Sequence, residues 1–374
     1  MADLNNIEAS GILEVESRGF GFLRPPSLTL PRQAGDIYVP VAVIKEYGLR
    51  PCNYIEGQAV AGDGRGSPKL STISRINGLE PAAWSACQPF ERLTPVAPDQ
   101  PLMLSASDQD PSLRVIDLIC PLGRGQRALV VAPPRSGKTI LIQKIAQAVA
   151  KNYPDVLVMV LLLDERPEEV TDMRRTIQGE VFASSNDEDI ETHLRLGQLV
   201  LEYAKRKVEA GKDVVMLLDS LTRTGRAFNL GQRGSGRTMS GGIDASALQI
   251  PRKIFGAARK IENGGSLTIV ATVLVGTGSR MDEFIFQEFK GTGNMELVLD
   301  RRLADERIFP AINIAESGTR KEELLFGERT EQCQLLRRGL TKMENHDAMQ
   351  LLLGLIGKTR NNDQLLKQIA KAGL

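Results

Sequence analysis

The sequence predicts an α/β protein whose main domain is a largely parallel sheet covered by helices, with a small β-barrel in front of it. Three observations carry this. From about Val115, apolar β-type runs alternate with longer helical segments, the order of a parallel sheet with crossover helices. Runs such as Val156 to Leu163 are continuously apolar, as strands buried on both faces are. The first 80 residues lack that alternation. Brief strand-like segments lie there between Gly and Pro, as in a small closed β unit.

Residues 1–9 form a tail and 10–80 the barrel domain, with strand segments at Gly11–Glu16, Gly19–Arg24, Asp36–Val39 and Glu56–Ala61. Residues 81–112 contain Pro81, Pro89, Pro95, Pro98, Pro101 and Pro111. Repeated Pro disfavours helix and central strand, so a linker lying over the surface is expected. The α/β domain then runs over 113–374. Ala128–Ala132 leads into a helix over Thr139–Tyr153. A second helix spans about Asp187 to Ala210, with Ile190, Leu194, Gly197, Leu201, Ala204 and Val208 on one face. Ser185 or Asn186 is placed to cap its start and Gly211 its end. Val214–Leu218 and Leu267–Val275 are further buried strands, and a helical stretch over about 347–374 closes the domain.

The 374 residues are 42% hydrophobic and 25% charged, enough to bury a core without disulfides. Lys plus Arg number 47 against 46 Asp plus Glu, a net charge of +1. That excludes a protein coated in positive charge but leaves room for a local basic groove. Four scattered Cys without a CxxC pair, and only His193 and His346, exclude a zinc site and fit a reducing compartment. The start, MADLNNIEAS, has no signal-peptide pattern, and no apolar run spans a bilayer. A cytoplasmic protein without membrane contact is expected.

Ala132-Pro-Pro-Arg-Ser-Gly-Lys-Thr follows a strand and opens a helix. It is the Walker A pattern with Ala132 at the first Gly. Such a loop, Pro133 to Gly137 with Ile140 just beyond, aims backbone N–H groups at phosphates from a helix N-terminus. Gly137 permits close approach, Lys138 reaches the β and γ phosphates of ATP, and the Thr139 hydroxyl binds Mg²⁺. Val214 to Asp219 is an apolar strand ending in an acid, the Walker B arrangement, which puts Asp219 in the Mg²⁺ shell. Glu165 ends another apolar strand, where an open α/β sheet binds its ligands, and is the candidate general base. Glu168 and Glu169 read as loop-solvating charges.

With these elements in place, the chain resembles the Rho family of hexameric bacterial transcription termination factors. The matching stretches include Gly123-Arg-Gly-Gln-Arg, Asp164-Glu-Arg-Pro-Glu-Glu-Val, Leu218-Asp-Ser-Leu-Thr-Arg, Phe289-Lys-Gly-Thr-Gly-Asn-Met-Glu-Leu and Ser317-Gly-Thr-Arg, over about 113 to 326. Gly19-Phe-Gly-Phe-Leu-Arg and Asp36-Ile-Tyr-Val carry the likeness into the barrel. The resemblance implies a RecA-like P-loop ATPase core and an OB/cold-shock-like barrel. It implies an RNA-dependent ATPase and 5′-to-3′ translocase, a homohexamer acting on C-rich single-stranded RNA and the RNA polymerase elongation complex. It makes Glu165 the water-activating residue, with Arg223 beside the Walker B acid. Arg320 becomes an arginine finger donated to the neighbouring subunit, Arg307 a second interface arginine, and Phe309 the residue packing on adenine.

Phe20 and Phe22 alternate in a strand with Gly between, which fits either core rings or base-stacking platforms. The resemblance favours stacking, with Arg24, Asp36 and Tyr38 completing a primary RNA site. Residues 1–80 hold 8 Lys/Arg and 9 Asp/Glu, so stacking and base-edge contacts have to carry much of the affinity. Two Gly-rich loops fit plain connectors or RNA contacts. The resemblance makes them a secondary RNA site inside the ring: Gly234–Gly242 with Arg237 and Thr238, and Gly276–Arg280 with Thr277, Gly278, Ser279 and Arg280. The chain departs from the family in starting almost at the barrel, in lacking an aromatic over residues 62–72, and in Glu316, where an Arg is common. Two other functions compete: a rotary or secretion-type ATPase subunit, and an RNA-binding protein with a structural nucleotide site.

Overall fold

A computed structural model describes residues 6–27, 29–61, 67–107, 110–231, 243–244 and 247–372. Strands β1 (Asn6–Val15), β2 (Gly21–Arg24), β3 (Ile37–Val39), β4 (Tyr54–Val60) and β5 (Lys69–Ile76) close into a barrel in the order β1-β2-β3-β5-β4. Leu13, Leu23, Val39, Ile55 and Leu70 fill it. Strand β5 is not evident in the sequence, because its buried residues Leu70, Ile73 and Ile76 step by three. Register shifts against β4 explain the step. One falls at Gly57, where a Cβ would lie 2.0 Å from the Thr72 carbonyl oxygen, so only glycine fits.

The stretch 81–112 differs from the expected surface linker. It forms a helix over Pro81–Ser85, a 3₁₀ turn over Phe90–Arg92, strand β6 (Pro95–Val96) and the start of a helix over Pro111–Ile119. Its prolines do not oppose this, since Pro81 and Pro111 take first-turn positions, where the missing N–H costs nothing. Trp84 is fully buried in the barrel core and Phe90 against the α/β core.

The remaining strands are β7 (Arg127–Ala132), β8 (Leu157–Glu165), β9 (Glu180–Ser185), β10 (Asp213–Asp219), β11 (Arg259–Ile261), β12 (Ser266–Leu274), β13 (Met295–Val298) and β14 (Gly318–Thr319). Their main order is β14-β13-β7-β12-β10-β8-β9. From β13 to β9 every pairing is parallel, and β14, β11 and β6 add antiparallel margins. Central strands such as β10 are buried on both faces, which accounts for their unbroken apolar runs.

The helix over Ile190–Glu209 is capped by Asp189, whose side chain accepts from Thr192 N at 2.7 Å, and not by Ser185 or Asn186. Ser185 is still within β9. Gly211, at φ 82°, follows the helix's end in the left-handed conformation. This helix also holds the barrel. Its Glu209 pairs with Arg50 at 2.5 Å and accepts from Phe90 N at 2.7 Å. Lys207 lies 4.9 Å from the ring centres of both Tyr54 and Tyr203. Among the described residues no helix is long and apolar enough to cross a membrane.

The C-terminal stretch is two helices, Asn345–Gly357 and Asn362–Ala372. Buried Arg114 occupies the break. It donates to the carbonyls of Ile356 and Thr359, to Thr359 Oγ1 and to Asn362 Oδ1, at 2.8 to 2.9 Å. Arg114→Met keeps the bulk and strands those acceptors, so it should lower unfolding free energy by about 2–3 kcal/mol. Urea denaturation measures this; an unchanged midpoint would mean that the break is held by other contacts.

Candidate functional site

The phosphate loop, 133–137, connects β7 to the helix Lys138–Asn152. Arg135 and Gly137 have φ of 63° and 87°, a reversal that points the loop back over the helix N-terminus. The Ser136 hydroxyl donates to the Pro133 carbonyl at 2.7 Å and braces it. Lys138 Nζ lies 2.5 Å from Asp219 Oδ1, and Thr272 Oγ1 donates to the same oxygen at 2.7 Å. Thr139 follows Lys138 in the first helical turn. Asp219 and Thr139 offer one carboxylate and one hydroxyl. This donor set suits Mg²⁺, which takes few protein ligands and completes its shell with phosphate and water.

Glu165 ends β8 and is 1% exposed. Arg223 pairs with its Oε1 at 2.9 Å and donates to the Asp164 carbonyl at 3.0 Å. Arg166 N also donates to Oε1, at 3.1 Å, while the buried Oε2 has no partner among the described residues. Burial pushes the carboxyl up to about 7; Arg223 opposes this, and the charges of Asp219 and Glu169 add to it. A carboxyl poised there is suited to taking a proton from water near neutrality.

Beside the loop lies a cavity of about 320 Å³, lined by Arg135, Gly137, Ile140, Leu299, Arg307 and Phe309. Phe309 is 46% exposed and Ile140 61%, an apolar pair left open next to a phosphate cradle. A flat base would cover both. Arg301, which the sequence does not single out, donates to the Pro134 carbonyl at 2.7 Å and props the loop.

Arg320 is not brought to this cluster. Its N–H donates to the Asn294 carbonyl, and Asn294 Oδ1 accepts from Arg127 N, at the start of β7. The phosphate loop is at that strand's other end, about 17 Å away for six residues at the usual rise.

On the barrel, Phe20, Phe22 and Tyr38 form a half-exposed cluster with ring centres 5.7 to 5.9 Å apart, and Phe22 faces Tyr38 across the β2–β3 register. Arg24 stands 5.2 Å from the centre of the Phe22 ring. Arg24 and Asp36 are buried and paired with each other. They form the floor of the aromatic face. Glu14, which sequence reasoning does not identify, accepts from Arg24 Nε at 2.7 Å. Burial alone raises its pKa, yet hydrogen bonds from Arg195 and Arg24 hold it down at about 2.

The loop 276–279 leaves β12 beside the phosphate loop, where Val275 N donates to the Ala132 carbonyl at 3.2 Å. Gly276 and Gly278 have φ of 67° and 74°. Thr277 Oγ1 donates to Asp282 Oδ2 at 2.6 Å, Ser279 caps the helix Arg280–Lys290, and Arg280 is exposed. Arg237 and Thr238 lie outside the described residues.

Residues 112–319 match the ATP synthase alpha/beta family, nucleotide-binding domain, and residues 9–82 match the Rho termination factor, RNA-binding domain. The transcription termination factor Rho of Cereibacter sphaeroides is 48% identical over 361 residues, 95% of this chain and 86% of that protein. That of Aquifex aeolicus is also 48% identical, over 96% of this chain and 83% of its own. A prototypical ATPase from the type III secretion system of pathogenic bacteria shares the fold with a TM-score of 0.62 at 20% identity, covering 82% of this chain and 94% of that one. EscN from the enteropathogenic E. coli type III secretion system superposes with a TM-score of 0.61 at 17% identity, over 99% and 98% of the two chains. At 48% identity over nearly its whole length, the chain belongs to the Rho family of transcription termination factors.

Proposed function

We infer that this chain is an RNA-dependent ATPase that terminates transcription, working as a ring of six copies that draws nascent RNA through its centre in the 5′-to-3′ direction. The observation that carries this is the pairing, in one chain, of an aromatic face on a small barrel with a phosphate loop opposite a Walker B acid. The Phe20, Phe22 and Tyr38 rings take bases by stacking, worth roughly 1–3 kcal/mol per base. That the single strand is C-rich is what the resemblance to the Rho family implies, since ring spacing alone does not tell one pyrimidine from another. The likeness to secretion-type ATPases is one of fold alone, whereas residues 9–82 match the Rho RNA-binding domain, which supports the RNA reading.

At the nucleotide, the γ-phosphate takes Lys138 from Asp219, which frees the carboxylate. Thr139 and Asp219 would hold Mg²⁺, which would supply charge neutralisation at the transferring phosphoryl group. Phe309 and Arg307 seat the base and its sugar side. Glu165 accepts the proton of the attacking water, and Arg223 holds the carboxyl in place. Arg320, remote from Lys138 in its own chain, serves the site of the neighbouring copy as an arginine finger. Thr277, Gly278, Ser279 and Arg280, with Arg237 and Thr238, grip RNA inside the ring. The 276–279 loop adjoins the phosphate loop, which gives nucleotide state a route to RNA movement. The RNA polymerase elongation complex is the proposed partner, and the cytoplasm the proposed site of action.

Steady-state ATP hydrolysis should be stimulated strongly by C-rich single-stranded RNA. High activity indifferent to RNA would favour the secretion-type alternative, and bound ATP without turnover a structural nucleotide site. Glu165→Gln should keep ATP affinity and lose at least a hundredfold in turnover, on the order of a general base's contribution. With wild-type protein, kcat/KM for ATP should rise as pH increases through about 7, because the useful form is the carboxylate. Retained turnover in the variant would remove Glu165 as the base. Arg320→Ala mixed with wild-type chains should depress activity beyond simple dilution; a merely proportional loss would place the residue outside its neighbour's site.

A further inference from the structure

Arg195 belongs to the α/β domain, in the first half of the helix Ile190–Glu209. Every side-chain hydrogen bond it makes among the described residues goes to the barrel. Its Nε and Nη2 donate to Glu14 Oε1 and Oε2 at 2.8 and 2.7 Å, a two-pronged guanidinium–carboxylate pair. Nη2 also donates to the Leu30 carbonyl at 2.8 Å, and Nη1 to the Thr29 carbonyl at 3.4 Å. Glu14 belongs to the strand beside the base-stacking face. Glu14 sits opposite Phe22 in the β1–β2 register and holds Arg24 Nε. Arg24 in turn pairs with Asp36 and underlies the Phe22 ring. The Thr29 and Leu30 carbonyls lie on the connection that delivers Asp36 from the other side, where Asp36 Oδ2 accepts from Gln33 N at 2.7 Å. Among the described residues, the one cation that pairs with Glu14 besides Arg195 and Arg24 is Arg32, at 3.4 Å and largely exposed, a weak substitute.

We propose that Arg195 is a positioning residue for the RNA face of the barrel: from the ATPase domain it fixes Glu14 and the 29–30 backbone, and through them Arg24, Asp36 and the Phe22 ring. This rests on the reading of that face as the primary RNA site. Arg24 is shared between Glu14, Asp36 and the Phe22 ring, so its placement depends on where Glu14 stands. Without Arg195, Glu14 keeps Arg24 but loses the fork that holds both of its oxygens. The carboxylate is then free to turn, and two carbonyls of the connection lose a donor. A lysine does not restore the arrangement, because one ammonium does not match both carboxylate oxygens and two carbonyls.

The test uses the full chain and a short labelled oligocytidylate, read by fluorescence anisotropy and by RNA-stimulated ATP hydrolysis. Arg195→Gln should weaken oligocytidylate binding roughly tenfold, the scale of a lost charge-assisted hydrogen bond. The RNA concentration for half-maximal hydrolysis should rise by the same factor, while kcat at saturating RNA stays at the wild-type value. Arg195→Lys should fall between the two, and carries the comparison alone should the glutamine variant not fold. A residue that only stabilised the core would not produce this split of affinity from kcat. Phe20→Ala with Phe22→Ala is the reference. Loss of binding in that double variant, with both Arg195 variants at wild-type affinity, would overturn the proposal and leave the RNA reading standing. Wild-type affinity in all variants would overturn both. A lower kcat at saturating RNA with unchanged affinity would assign Arg195 to the ATPase core and overturn the proposal as well.

Discussion

Lys138 and Asp219 meet at 2.5 Å because of strand order. Lys138 opens the helix after the loop that follows β7, Asp219 ends β10, and both strands flank β12 in parallel register. Two strand spacings separate them by about 9.6 Å, which a lysine side chain and an aspartate close between them. Thr272, on the strand in the middle, donates to the same carboxylate oxygen. Everything else at the nucleotide follows from this alignment. β8 adds Glu165 on the far side of β10, and β13 leads to the segment that carries Arg301, Arg307 and Phe309. The ion pair satisfies two mostly buried charges that, unpaired, would each be costly to keep out of water.

The parts of this arrangement that the sequence makes legible are those in which partner residues are close in the chain or sit at strand ends. The phosphate loop, the apolar strand before Asp219 and the position of Glu165 are all of that kind. Arg301 and Glu14 are of the other kind. Arg301 reaches a carbonyl 167 positions away, and Arg195 reaches Glu14 across 181, with nothing in the local pattern to mark either. Arg320 has meaning only through resemblance, since within its own chain it touches no part of the nucleotide site. In the fold, the parallel strands are plain because burial on both faces leaves an unbroken apolar run. β5 is hidden by register shifts that turn a two-residue period into three. The proline-rich stretch misleads for a different reason: Pro breaks a helix from inside but suits its first turn, and composition alone does not separate the two.

Barrel and ATPase domain are joined by apolar packing, with Ile12, Leu30 and Cys52 entering the α/β core, and by charged groups drawn from one helix. Arg195 holds Glu14, Lys207 sits between two tyrosine rings, and Glu209 takes both Arg50 and the Phe90 amide. These groups are spread along nearly the full length of the Ile190–Glu209 helix, so it fixes orientation as well as contact. Its neighbour β9 pairs with β8 at Ser185 and Glu165. The same helix therefore stands between the strand that ends in the candidate base and the barrel that carries the aromatic face.

The length of β7 sets the arithmetic of the assembly. In the proposed arrangement each chain carries a phosphate loop at one end of that strand and a finger for someone else's nucleotide at the other. A lone chain then possesses two incomplete halves and no whole catalytic centre. An arc of copies with one gap has one fewer complete centre than it has chains, and closing the gap creates the last one. Ring opening and closing is in that case a change in the number of working engines, and not only in the path available to RNA.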